Sequence, residues 1–119
     1  MPRVTAVAAL EAFEDAGQPY PVINGEDQQD FLVKWKEEGL TAIAPTFPTF
    51  QWRTAVIAAH DILTGEQVPE VWRLPQPSVT QDNLDYYVNE NSNMPPLHYA
   101  MCGCEDMPDY PERWGGSSN

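Results

Sequence analysis

Between residues 21 and 68 the chain twice repeats one arrangement: a short apolar run, a polar turn, then an amphipathic helical pattern. The runs, Val22-Ile23 and residues 40–44, are too short for helices and suit buried strands. Pro19 and Pro21, on either side of Tyr20, keep the approach to the first run extended. Two strands joined through a helix pair in parallel with a right-handed crossover. The order β-α-β-α therefore predicts an open α/β sheet, and such sheets present ligand-binding groups beyond the carboxyl ends of their strands.

The remaining elements follow from periodicity and stop signals. Val4, Val7, Ala8, Ala12 and Phe13 give residues 4–16 a mostly small, apolar helical face, and Gly17 supplies the stop. Gly25 permits a sharp turn after the strand expected at residues 21–24. Asp27 is placed to cap a helix in which Phe31, Leu32 and Trp35 share one face while Lys34, Lys36, Glu37 and Glu38 face water; Gly39 ends it. Pro45-Thr46-Phe47-Pro48 forms a rigid loop at the end of the second strand, and Thr49 is expected to cap a helix over residues 50–63. There Ala55, Ala58 and Ala59 permit close approach to a sheet, with Val56 and Ile62 adding apolar contact. Alternation of Val71 and Arg73 against Trp72 and Leu74 predicts a marginal strand over residues 70–74. Thr80 is read as the cap of a short helix ending at Tyr87, with Asp82 in its first turn. Residues 89–119 are turn-rich and irregular.

Composition narrows the function classes. The 119 residues fit one domain and 42% are hydrophobic, enough for a core. A net charge of −12, spread along the chain, opposes nucleic-acid backbones and anionic membrane surfaces. No apolar run is long enough to span a membrane, and the first ten residues lack the basic start and apolar stretch of an export signal. Opening on a helix with no strand before it is an odd start for an α/β domain, so the chain is expected to be an excerpt or a truncated reading frame. Cys102-Gly103-Cys104, with His98 nearby, is too sparse for a metal site and is read as a local disulfide or a pair of thiols. No nucleophile elbow, zinc-binding His-Glu-x-x-His or phosphate loop occurs, so no enzyme activity and no cofactor are expected.

Gly25-Glu26-Asp27, the polar loop within residues 41–48, and Thr64-Gly65-Glu66 closing a long helix resemble, in order and spacing, the second lobe of ribose-binding-like sugar-binding proteins of bacterial ABC importers. The likeness runs over residues 4–88. Glu26-Asp27-Gln28 together with Trp35 looks like a sugar-importer subgroup. The resemblance implies an α/β fold: an incomplete three-layer α/β/α lobe of the periplasmic-binding-protein-like type I fold, spanning residues 1–88, followed by an irregular Pro-rich tail over 89–119. Residues 74–80 resemble the last crossing between lobes. The implied function is to bind a sugar or polyol between two lobes and hand it to a membrane permease, in the periplasm or another extracytoplasmic space, with the export signal upstream. The effector-sensing core of a LacI-like regulator is the alternative, since it shares this lobe; the basic headpiece such a regulator needs is not among these 119 residues, and truncation would remove it.

Carried over residue by residue, Asp27 falls on the family's ligand-binding aspartate and Thr46 near its polar loop position, with Glu26 and Gln28 as flanking candidates. A carboxylate suits a sugar because it accepts charge-assisted hydrogen bonds from neighbouring hydroxyls. A helix cap without ligand is the other reading of Asp27. Phe47, Phe50 and Trp52 are candidates for stacking on a sugar ring, with packing as the competing role. Trp35 and Trp72 suit packing, and His60 beside Asp61 reads as a surface residue.

Overall fold

The structure, a computed structural model, describes residues 5–47, 49, 51–74 and 76–100. Among them are four helices and a three-stranded sheet. The chain divides into two compact units, one formed by Met1–Phe47 with Gln76–Met101, the other by Pro48–Pro75 with Cys102–Asn119.

The first unit carries the sheet. Helix α1 (Thr5–Asp15) buries Val7 and Leu10, and Gly17 follows it with φ 63°. Strand β1 (Ile23–Asn24) pairs in parallel with β2 (Ala42–Pro45), Ile23 opposite Ala42 and Asn24 opposite Ile43. The parallel order expected from β-α-β is thus present. Between the strands, α2 (Gln29–Glu38) buries Phe31, Leu32 and Trp35, and packs against α1. Trp35 keeps its indole N–H satisfied by donating to Gln81 Oε1 at 3.1 Å, so its full burial leaves no orphan donor. Gly39 terminates α2 at φ 64°, a left-handed conformation that costs glycine little.

A third strand, β3 (Ser78–Val79), pairs antiparallel with β2 and places Val79 in the core. Periodicity missed it because two residues carry no alternation; the strand expected at 70–74 is not formed, and those residues are irregular. Pro77 explains the displacement, since its carbonyl receives the Thr46 N–H at 2.9 Å and begins the ladder. Helix α4 (Leu84–Glu90) starts later than Thr80: Asn83 is its N-cap residue, and Asn83 Oδ1 accepts the Thr80 N–H at 2.7 Å, so Asp82 precedes the helix. Helix α4 packs on α2, where Leu84 joins the core with Leu10, Phe31, Leu32, Trp35 and Val79.

Outside the core, Lys34 Nζ lies 2.5 Å from Glu14 Oε1 and Tyr20 donates to the same carboxylate, which clips α1 to α2. The second unit contains α3 (Gln51–Thr64), followed by Gly65 at φ 82° as the Thr64-Gly65-Glu66 stop implies. Its buried residue is Ile57, whereas Val56 and Ile62, expected to make apolar contacts, are exposed. None of the described helices is long and apolar enough to cross a membrane.

Candidate functional site

Parallel pairing brings the carboxyl ends of β1 and β2 side by side, so Gly25-Glu26-Asp27-Gln28 lies next to Thr46-Phe47. A hydrogen bond joins the two turns: the Phe47 N–H donates to Asp27 Oδ1 at 2.9 Å. Asp27 is fully buried, and the cap reading is corrected. Gln28 is the N-cap residue of α2 and makes no side-chain cap bond, while the Phe31 N–H is met by Asp30 Oδ1 at 2.8 Å. Asp27 points across to the neighbouring turn instead of down its own helix.

Gly25 sets how tightly the first turn approaches α2. A Cβ there would lie 2.5 Å from Phe31 Cζ, inside van der Waals contact, so only glycine fits without displacing the ring. Thr46 is fully buried as well, its hydroxyl donating to the Pro77 carbonyl at 2.6 Å and its own carbonyl accepting from Gln76 Nε2 at 2.9 Å. Thr46 thereby couples the β2 turn to the start of β3.

Glu26 is the exposed member of the four sequence candidates. It borders a cleft of about 390 Å³ lined by Thr5, Ala6 and Ala9 of α1 and by Ile23, Asn24 and Gly25. Tyr99, which sequence reasoning missed, donates its hydroxyl to Glu26 Oε2 at 3.3 Å and sets its ring 5.3 Å from that of Phe47 at 33°. Partial burial pushes the Tyr99 hydroxyl above its usual pKa, and the Glu26 carboxylate adds to the shift. It therefore stays a donor at neutral pH. No local signal marks Tyr99, because it sits in turn-rich sequence far from the residues it meets.

Gln28 is buried. Its Nε2 donates to the Leu97 carbonyl at 3.4 Å, and its Oε1 has no hydrogen-bond partner among the described protein groups. Of the aromatic candidates, Phe47 is at the site, Trp52 is exposed on α3, and Phe50 lies outside the described residues, as do Cys102 and Cys104. No group of three metal-ligating side chains is assembled among the described residues.

The chain is similar to a solved structure, the ABC transporter solute binding protein from Thermobispora bispora DSM 43833. The TM-score is 0.67 at 25% sequence identity, over 79% of this chain and 29% of that chain. The fold is a partial lobe of the solute-binding type. This chain thus spans less than a third of the length of that neighbour. No protein-family model matches the chain, and no curated protein matches it.

Proposed function

We propose that this chain supplies part of the ligand-binding lobe of an ABC importer's solute-binding component, taking a sugar or related polyol at the carboxyl ends of β1 and β2. The observation that carries the reading is the Asp27–Phe47 cross-link, which holds two polar turns together where open α/β sheets bind ligands. The likeness to a solute-binding protein supports it independently.

Roles follow from exposure and chemistry. Glu26 offers an exposed carboxylate that accepts from ligand hydroxyls, and the Tyr99–Phe47 ring pair beside it offers an apolar wall. Gln28 Oε1 is an acceptor suited to a further hydroxyl. Asp27 and Thr46 complete the group, Asp27 by holding the two turns in register and Thr46 by anchoring the second turn on Pro77. No bond is made or broken in this role; closure of two lobes around the ligand and delivery to a permease on the extracytoplasmic side would follow from ligand contacts that are stronger in the closed state.

The test is calorimetric titration of the full-length protein that carries this lobe, against a panel of neutral monosaccharides and polyols. Glu26→Ala should weaken binding of the cognate compound by roughly 1.5 to 3 kcal/mol for each charge-assisted bond lost. Unchanged affinity in that variant would remove Glu26 from the site, and binding of operator DNA through a basic headpiece of the full-length protein would assign the lobe to a regulator.

A further inference from the structure

Residues 96–100 lie across the acidic turn and the start of α2, and several of the bonds that hold them there use groups a ligand would want. The Gln29 N–H donates to the His98 carbonyl and the Asp30 N–H to the Pro96 carbonyl, both at 2.9 Å. The Ala100 N–H donates to the Asp27 carbonyl at 2.8 Å, and Tyr99 pairs with Gln28 as an antiparallel bridge. The first two donors of α2 are thus occupied by carbonyl oxygens of the chain itself. A polyol hydroxyl presents the same kind of acceptor, at the positive end of the same helix.

Two further observations describe how this segment is held. Its apolar contacts are few: Leu97 and His98 are exposed, Ala100 packs against the core, and the half-buried Tyr99 ring meets Phe47. Hydrogen bonds rather than burial keep it in place, the pattern of a region that opens locally without unfolding the whole. Under it, Gln28 Oε1 is buried with no partner among the described protein groups, so the closed arrangement leaves a polar atom of the site unsatisfied. Opening would supply that atom with a partner.

We propose that residues 96–100 form a displaceable strap that competes with ligand for the N-terminal donors of α2, and that the acidic turn becomes fully accessible only when the strap lifts. The proposal rests on the solute-binding reading of the same site. Asp27 and Gln28, buried beneath the closed strap, become the inner part of the site in the open form, while Glu26 stays accessible in both. Apparent affinity is then the intrinsic affinity reduced by the fraction of molecules with the strap open.

Hydrogen exchange read by NMR on the 119-residue chain tests this with a variant that cuts one strap bond. Ala100→Pro removes the donor to the Asp27 carbonyl; Asn91→Ala, which removes the Nδ2 donor to the Ala100 carbonyl at 3.1 Å, is a second route to the same loosening. In the wild type, Gln29, Asp30 and Ala100 amides should exchange together and faster than Trp35. In either variant Gln29 and Asp30 should exchange roughly fivefold faster, the shift expected from one net hydrogen bond, with Trp35 unchanged. Titration with D-ribose, D-glucose and myo-inositol should show affinity rising by the same factor for whichever compound binds. Exchange of Gln29 and Asp30 only at the Trp35 rate would overturn the strap. Faster exchange with unaltered affinity for a bound polyol would overturn the competition while leaving solute binding intact. Faster exchange with no compound bound by any of the proteins would overturn both the competition and the solute-binding reading.

Discussion

Replacing Asp27 with alanine should cost the fold more than loss of a helix cap would, because the carboxylate is not a cap. Its Oδ1 accepts the Phe47 N–H at 2.9 Å with the side chain fully buried, and the neighbouring Thr46 is equally inaccessible. Alanine leaves the part-buried Phe47 N–H without its acceptor, which costs about 1 to 3 kcal/mol. Relief of carboxylate desolvation offsets part of this, so a net loss of about 2 kcal/mol is expected. Loss of a cap alone costs about 1 kcal/mol. Asp27→Asn keeps an oxygen for the Phe47 N–H and should lose less than half as much. Urea denaturation of the three proteins, followed by circular dichroism, measures the differences. A loss below about 0.5 kcal/mol for the alanine variant, within the range of an ordinary surface substitution, would refute the cross-link as a structural element.

Gly25→Ala should destabilise by about 1 to 3 kcal/mol, the range for overpacking, because the new methyl meets the Phe31 ring; the pair Gly25→Ala with Phe31→Leu should recover part of the loss in the same denaturation assay. Leu84→Ala, at a fully enclosed position where α4 meets α2, should cost about 2 to 5 kcal/mol and lower the midpoint without altering the denaturant slope beyond error. The clip between α1 and α2 predicts two pH limits. Hydrogen bonds from Lys34 and Tyr20 hold the Glu14 carboxyl below its usual pKa, so its contribution is present above the unfolded value and fades as pH falls through the folded one. The Glu14 bond raises Lys34, whose contribution is present below its unfolded value and fades as pH rises through the folded one. Melting temperature against pH should therefore lose part of its acid-side and alkaline-side slope in Lys34→Met, and identical profiles would show that the clip contributes nothing.

Helices α1, α2 and α3 were legible because each carries a stretch of helical spacing with a glycine stop, and the parallel β1–β2 pair followed from the helix between them. What the chain concealed was non-local. Strand β3 is two residues long and owes its position to the Pro77 carbonyl meeting Thr46, a pairing no local pattern announces. Val56 and Ile62 share helical spacing with Ile57's neighbours, yet only the structure shows which face of α3 is covered. At the site, Glu26, Asp27, Gln28 and Thr46 were nameable from their turns, but their accessibility was not. Residues 96–100 bond to the backbone of Asp27 and to Gln28, and Tyr99 reaches Glu26 from sequence that reads as plain turns, far along the chain from that turn.

A two-dimensional amide NMR titration of the 119-residue chain with neutral monosaccharides and polyols tests directly whether ligand binds at the carboxyl ends of β1 and β2. One lobe without its partner should bind weakly, on the order of millimolar, about −4 kcal/mol. Saturable shifts are expected, concentrated at Glu26, Gln28, Gln29, Phe47 and Tyr99, for at least one compound, with α3 silent. Shifts absent throughout the panel, or saturating only at residues remote from the carboxyl ends of β1 and β2, would contradict ligand binding at those ends.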